Sequence, residues 1–180
     1  MSGNRIYFKG NPWPEGHPIK TFVWKAKEID GGIWFDFSLE SDDYYCERDI
    51  EDDEDIEYMS DWVAPIVWGN FHRCTISSDE SNGFRVCDKS DYTKDLLDGF
   101  KVKVDFNIDF REHEWEDFTF HTYLLGHDAV TDHTIEFKRI AGSDFYNIYW
   151  VGKIALAYVG DYEFKHEFRA EINVAEFPQI

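Results

Sequence analysis

Basic residues are scarce: 18 Lys and Arg stand against 37 Asp and Glu in 180 residues, a formal charge of −19. So negative a surface repels phosphate, and nucleic acid and anionic membranes are not expected as partners. Cysteine is sparse too. Cys46, Cys74 and Cys87 cannot all pair within the chain, and their spacing fits neither a disulfide scaffold nor a zinc ribbon. Reduced thiols and a cytoplasmic location are the expectation. No apolar run approaches the length of a membrane span, and Met1 to Arg5 lacks the apolar stretch of a signal peptide. There is no Gly-x-Ser-x-Gly elbow, and Gly31-Gly32 opens no helix that would cradle a phosphate. With no catalytic arrangement signalled, a non-enzymatic role is expected.

Aromatic residues are abundant, at 18% of the chain with 7 Trp, 10 Tyr and 16 Phe. That load supplies a packed core and argues against disorder despite the charge. Apolar residues recur at every second position from Phe100 to Phe110 and, interrupted only by His166, from Tyr162 to Val174. Such alternation predicts strands with one buried and one solvated face. The second run is long enough that a bend or bulge is expected within it. Ile6–Lys9 reads as an edge strand. Phe22–Glu28 and Ile33–Glu40 flank Asp30-Gly31-Gly32, a strong hairpin signal. Ile66–Trp68 and Phe71–Ser77 read as one strand broken at Gly69-Asn70, and Phe84–Cys87, Phe118–Leu125 and Thr134–Ile140 as further strands. Phe145–Val151 and Ile154–Val159 are set apart by Gly152-Lys153, a turn or a bulge. The only helical stretch expected is a short one over residues 91–98, stopped by Gly99. The fold class is therefore all-β: an antiparallel β-sandwich of about ten strands in a single domain over residues 1–180, with a closed β-barrel as the alternative.

The acidity is concentrated. Between Glu40 and Asp61 twelve carboxylates face one basic residue, Arg48, so 22 residues carry −11 and the other 158 carry −8. This acidic loop suits a basic protein or peptide, whose approach it would steer. The residues expected to meet such a partner are Asp49, Glu51, Asp52, Asp53, Glu54, Asp55 and Glu57. Trp115 joins them, because its neighbours from Glu112 to Asp117 are all polar. Tyr44, Tyr45, Ile50, Ile56, Tyr58 and Met59 are placed to pin the loop to the body. Residues 49–61 contain no glycine, which excludes an EF-hand loop.

A second pattern is Gly126-His127-Asp128-Ala129-Val130-Thr131-Asp132-His133. No cofactor is expected on the first reading of the chain; if this pattern forms the turn between two paired strands, His127 and His133 flank its base and can share a metal ion, zinc or calcium, with Asp128. Three functions follow. The first is an interaction module of inhibitor or immunity type that offers its acidic surface to a basic partner. The second is a metal-binding protein or metal-dependent enzyme centred on His127 and His133. The third is a small-ligand or carbohydrate-binding β domain.

Overall fold

The computed structural model describes residues 3–49, 56–109 and 112–180. Ten strands and one helix appear among them: β1 Arg5–Phe8, β2 His17–Ile29, β3 Gly32–Ser41, α1 Pro65–Phe71, β4 Thr75–Ser77, β5 Phe84–Asp88, β6 Lys101–Val104, β7 His121–Tyr123, β8 Ala129–Arg139, β9 Phe145–Ala155 and β10 His166–Glu176. All pairings are antiparallel, in the order β6-β8-β9-β10-β1-β2-β3-β4-β7, with β5 added to β3.

The chain is all-β, as its alternation requires. Its two layers come from one sheet that curls over on itself. Trp24 on β2 packs against Phe137 of β8 and Tyr146 of β9, with ring centroids 5.3 and 5.8 Å apart. Phe37 on β3 meets Trp150 of β9 at 5.6 Å. The face read from sequence on β3 fills this core: Ile33, Phe35, Phe37 and Leu39 are fully buried. Among the described residues the end strands β6 and β7 are not paired with each other, so the sheet is a half-barrel.

The β2–β3 hairpin turns on Asp30 and Gly31, with φ of 49° and 75°. Two consecutive positive φ values match the right-handed twist of the flanking strands. β10 contains the anticipated bulge, between Ile172 and Ala175, where Val174 takes φ 62° and turns out to solvent.

Five expectations are corrected. β1 lies inside the sheet, between β10 and β2, because both its edges find partners. β9 runs unbroken through Gly152-Lys153, whose register with Phe168 and Glu167 is regular. The alternation from Phe100 yields only the four residues of β6. Asp105 and Asn107 adopt positive φ, and the Asp105 carboxylate leaves the ladder to accept the N–H and hydroxyl of Thr119, both at 2.8 Å. Residues 91–98 make turns and no α-helix, and the one α-helix lies at α1, where a strand was expected. Pro65 occupies its first turn, where a missing N–H costs nothing, and the buried Trp68 holds it to the core.

Candidate functional site

The acidic segment is anchored at both ends by large side chains meeting on α1. On the N-terminal side Tyr44 is buried and its hydroxyl donates to the Leu124 carbonyl at 3.0 Å. On the C-terminal side the buried Trp62 donates its indole N–H to the Lys9 carbonyl at 2.9 Å and stacks on His166 at 4.0 Å. Both rings pack on Trp68, with centroids 4.8 and 5.2 Å away. Trp68 in turn donates to the Trp62 carbonyl.

His17 sits in this aromatic cluster, 4.9 Å from Tyr44 and 5.3 Å from Trp13, with Nε2 within 3.2 Å of the Asn11 amide. Burial lowers its imidazole to about 4, the Tyr44 backbone acting in the opposite sense.

Charge is matched at the N-terminal flank of the run. Arg5 grips both carboxylate oxygens of Glu47 at 2.6 and 3.2 Å. Arg73 reaches Glu40 at 2.9 Å and Asp43 at 3.3 Å. Arg48 bonds the Pro12 carbonyl and lies 3.5 Å from Glu15. Beyond that flank, Asp49 and Glu57 are exposed and pair with no cation among the described residues. Glu51, Asp52, Asp53, Glu54 and Asp55, and with them Ile50, lie outside the described residues. Of the side chains expected to pin the loop, Tyr44 does so by burial and Tyr45 by a 2.6 Å contact with His72 Nδ1. Ile56 and Met59 are exposed, and the anchor on that side is Trp62.

Trp115 lies far from this anchor in sequence and is half-buried. It stacks on His121 at 4.8 Å and 11°, and His121 Nε2 donates to the Trp115 carbonyl at 3.0 Å.

The expected turn joining paired strands at His127 and His133 does not form. β7 pairs with β4 while β8 pairs with β6 and β9, and β8 already begins at Ala129. His127 is exposed beside Tyr123, whereas His133 points into the core opposite Val104. Asp128 is buried and accepts the N–H groups of Leu125 and Tyr158, burial still holding its carboxyl above the ordinary value. His133 accepts the indole N–H of Trp150 on Nδ1 at 3.1 Å, and its Nε2 is buried without a partner among the described residues. Burial drives this imidazole down to about 3. Among the described residues no group of three or more His, Cys, Asp or Glu is placed to hold a metal ion. Nor is any described helix long and apolar enough to cross a membrane.

Comparison of the chain with protein-family models, with curated proteins and with solved structures finds no match.

Proposed function

We propose that this chain is a non-enzymatic interaction module that offers its acidic segment to a basic protein or peptide. One observation carries the reading: Tyr44 and Trp62 bring the two flanks of the segment together on Trp68. The −11 of residues 40–61 thus leaves and rejoins the body at one place. The ion pairs at the N-terminal flank consume Glu40, Asp43 and Glu47, while Asp49 and Glu57 pair with no cation among the described residues and remain for an external one. Inhibition of a cationic toxin or nuclease, in the manner of an immunity protein, is the specific form this takes. The free thiols Cys46, Cys74 and Cys87 fit a cytoplasmic setting, which belongs to the same proposal.

Carbodiimide coupling tests it, because it joins carboxylates to amines in contact. A lysine-rich peptide incubated with the protein is expected to couple predominantly between Asp49 and Glu57. Coupling spread over the 37 acidic residues in proportion to exposure contradicts the proposal.

A further inference from the structure

β4 and β7 end the sheet beyond β3, and their outer face holds a cleft of about 560 Å³. Strand alternation builds it. Ile76 and Thr122 point inward and are buried, which leaves Thr75, Ser77, His121 and Tyr123 outside. Register sets these four in two rows that continue onto β3. Glu40, Thr75 and Tyr123 stand opposite one another, as do Ser38, Ser77 and His121. Glu40 is the first carboxylate of the acidic run, and two strand spacings, roughly 10 Å, separate it from Tyr123. The cleft therefore lies on the face where that run begins.

Trp115 forms the wall beyond β7. The short turn Trp115–Asp117 fixes it, since Glu114 and Asp117 each accept the other's backbone N–H, that of Glu114 at 2.9 Å. The turn presents the Trp115 carbonyl to His121 Nε2 at 3.0 Å. A carbonyl oxygen can only accept, so the proton of a neutral His121 ring sits on Nε2. Nδ1 is then a bare acceptor. It is buried without a hydrogen-bond partner among the described residues, and Glu80 Oε2, a second acceptor, lies 3.4 Å away. Two lone-pair atoms facing each other lack the donors that would satisfy them. The Glu80 side chain is 73% exposed and has room to turn and admit one.

Charge selects the donor. Among the described residues Glu80 is the only carboxylate lining the cleft, and no lysine or arginine lines it or pairs with Glu80. The lining thus sets one uncompensated negative charge beside the rings of Trp115, His121 and Tyr123. A guanidinium matches this on three counts. It is cationic, it carries several N–H donors in a fixed plane, and that plane stacks on aromatic faces.

We propose that this cleft receives an arginine side chain of the basic partner, its plane against the aromatic wall and its N–H groups directed at Glu80 and His121 Nδ1. Charge-assisted hydrogen bonds to the carboxylate orient it. The inference rests on the function proposed above for the source of the arginine, and on the cleft alone for the chemistry of recognition.

The test is a titration of ¹⁵N-labelled protein with Nα-acetyl-arginine methylamide, and in parallel with its citrulline counterpart, which keeps the plane and loses the charge. Saturable amide shifts in the millimolar range at Glu80, Trp115, His121 and Tyr123 are expected with the arginine compound, and binding about tenfold weaker or less with citrulline. Glu80→Gln is expected to weaken the arginine compound about fivefold or more with an unchanged melting temperature, and Trp115→Leu about threefold. A single-residue probe reads the cleft without the acidic segment. Were the segment's role to fail, a lysine-rich peptide would couple across the whole surface while the probe's shifts at the cleft persisted, and the assignment of the cleft would stand. The proposal is overturned by absence of saturable shifts with the arginine compound, by shifts centred elsewhere, by equal binding of citrulline, or by a folded Glu80→Gln protein that binds as well as wild type.

Discussion

Tyr44 and Trp62, eighteen residues apart in the chain, both meet the indole of Trp68 edge-on, at interplanar angles of 75° and 69°. The electropositive edge of one ring facing the π cloud of the next is a favoured aromatic geometry. Three rings from three short stretches of chain thereby clamp the base of a segment whose own charge resists compaction.

That clamp makes Trp68 the residue on which the acidic segment depends. Trp68→Ala is expected to cost about 3 to 5 kcal/mol in urea unfolding. Limited proteolysis under native conditions is expected to cut within residues 45–61 faster than in wild type. A loss under about 1 kcal/mol with unchanged cleavage would show that the flanks are held by something else.

Acid is expected to weaken the fold before most carboxylates titrate. Burial holds His17 at about 4 and His133 at about 3 when folded, both below the ordinary imidazole value. The unfolded chain therefore takes up these two protons first. The stability they contribute is complete above about pH 6.5 and is lost as pH falls toward 4 and then 3. Between pH 6 and pH 5 the unfolding free energy is expected to drop by about 2 kcal/mol. Asp105 and Asp128, raised by burial, act in the opposite sense, at the lower pH where carboxylates titrate. Urea unfolding at half-unit pH intervals measures the slope, and a flat profile from pH 7 to 5 contradicts it.

Gly152 is required by its neighbours more than by its backbone. A Cβ there would lie 2.6 Å from the Phe168 ring and 2.8 Å from His133 Nδ1, the atom that accepts the Trp150 indole N–H. Gly152→Ala is expected to destabilise by about 1 to 3 kcal/mol and to shift the Trp150 indole N–H resonance. An unperturbed indole signal would place His133 differently.

Asp105 replaces a strand continuation with a cap. Its carboxylate takes the Thr119 N–H and hydroxyl, and its carbonyl takes the Thr131 hydroxyl at 2.6 Å. Asp105→Ala is expected to cost about 1 to 3 kcal/mol, since the Thr119 groups lose their acceptor. Thr119 leads into Phe120, which packs on Trp150, so near-ultraviolet circular dichroism reads the change.

The parts of this fold legible in the sequence are those that local patterning controls. Two-residue alternation marks Ile33 to Leu39, and Asp30-Gly31 marks the turn before it. What stays hidden depends on distant partners. Pro65-Ile66-Val67-Trp68 has strand-like composition, yet it coils because Trp68 fills a gap between Tyr44 and Trp62. Phe106 and Ile108 continue an apolar rhythm that Asp105 ends by bonding Thr119. His133 resembles a ligand when only its turn-like neighbours are seen, and its burial under Trp150 is visible only in three dimensions. The acidity of residues 40–61 is plain in sequence. The convergence of its flanks is not, because nothing local connects Tyr44 with Trp62.

The central claim concerns charge held out for a cation, and association kinetics against salt test it most directly. Wild type and the variant Asp52→Asn, Asp53→Asn, Glu54→Gln, Asp55→Asn are compared in stopped-flow binding to an arginine-rich peptide. The wild-type on-rate is expected to exceed the variant's by about tenfold or more at low ionic strength, the two converging near 0.5 M salt as screening removes the attraction. Equal on-rates at low salt would contradict the account.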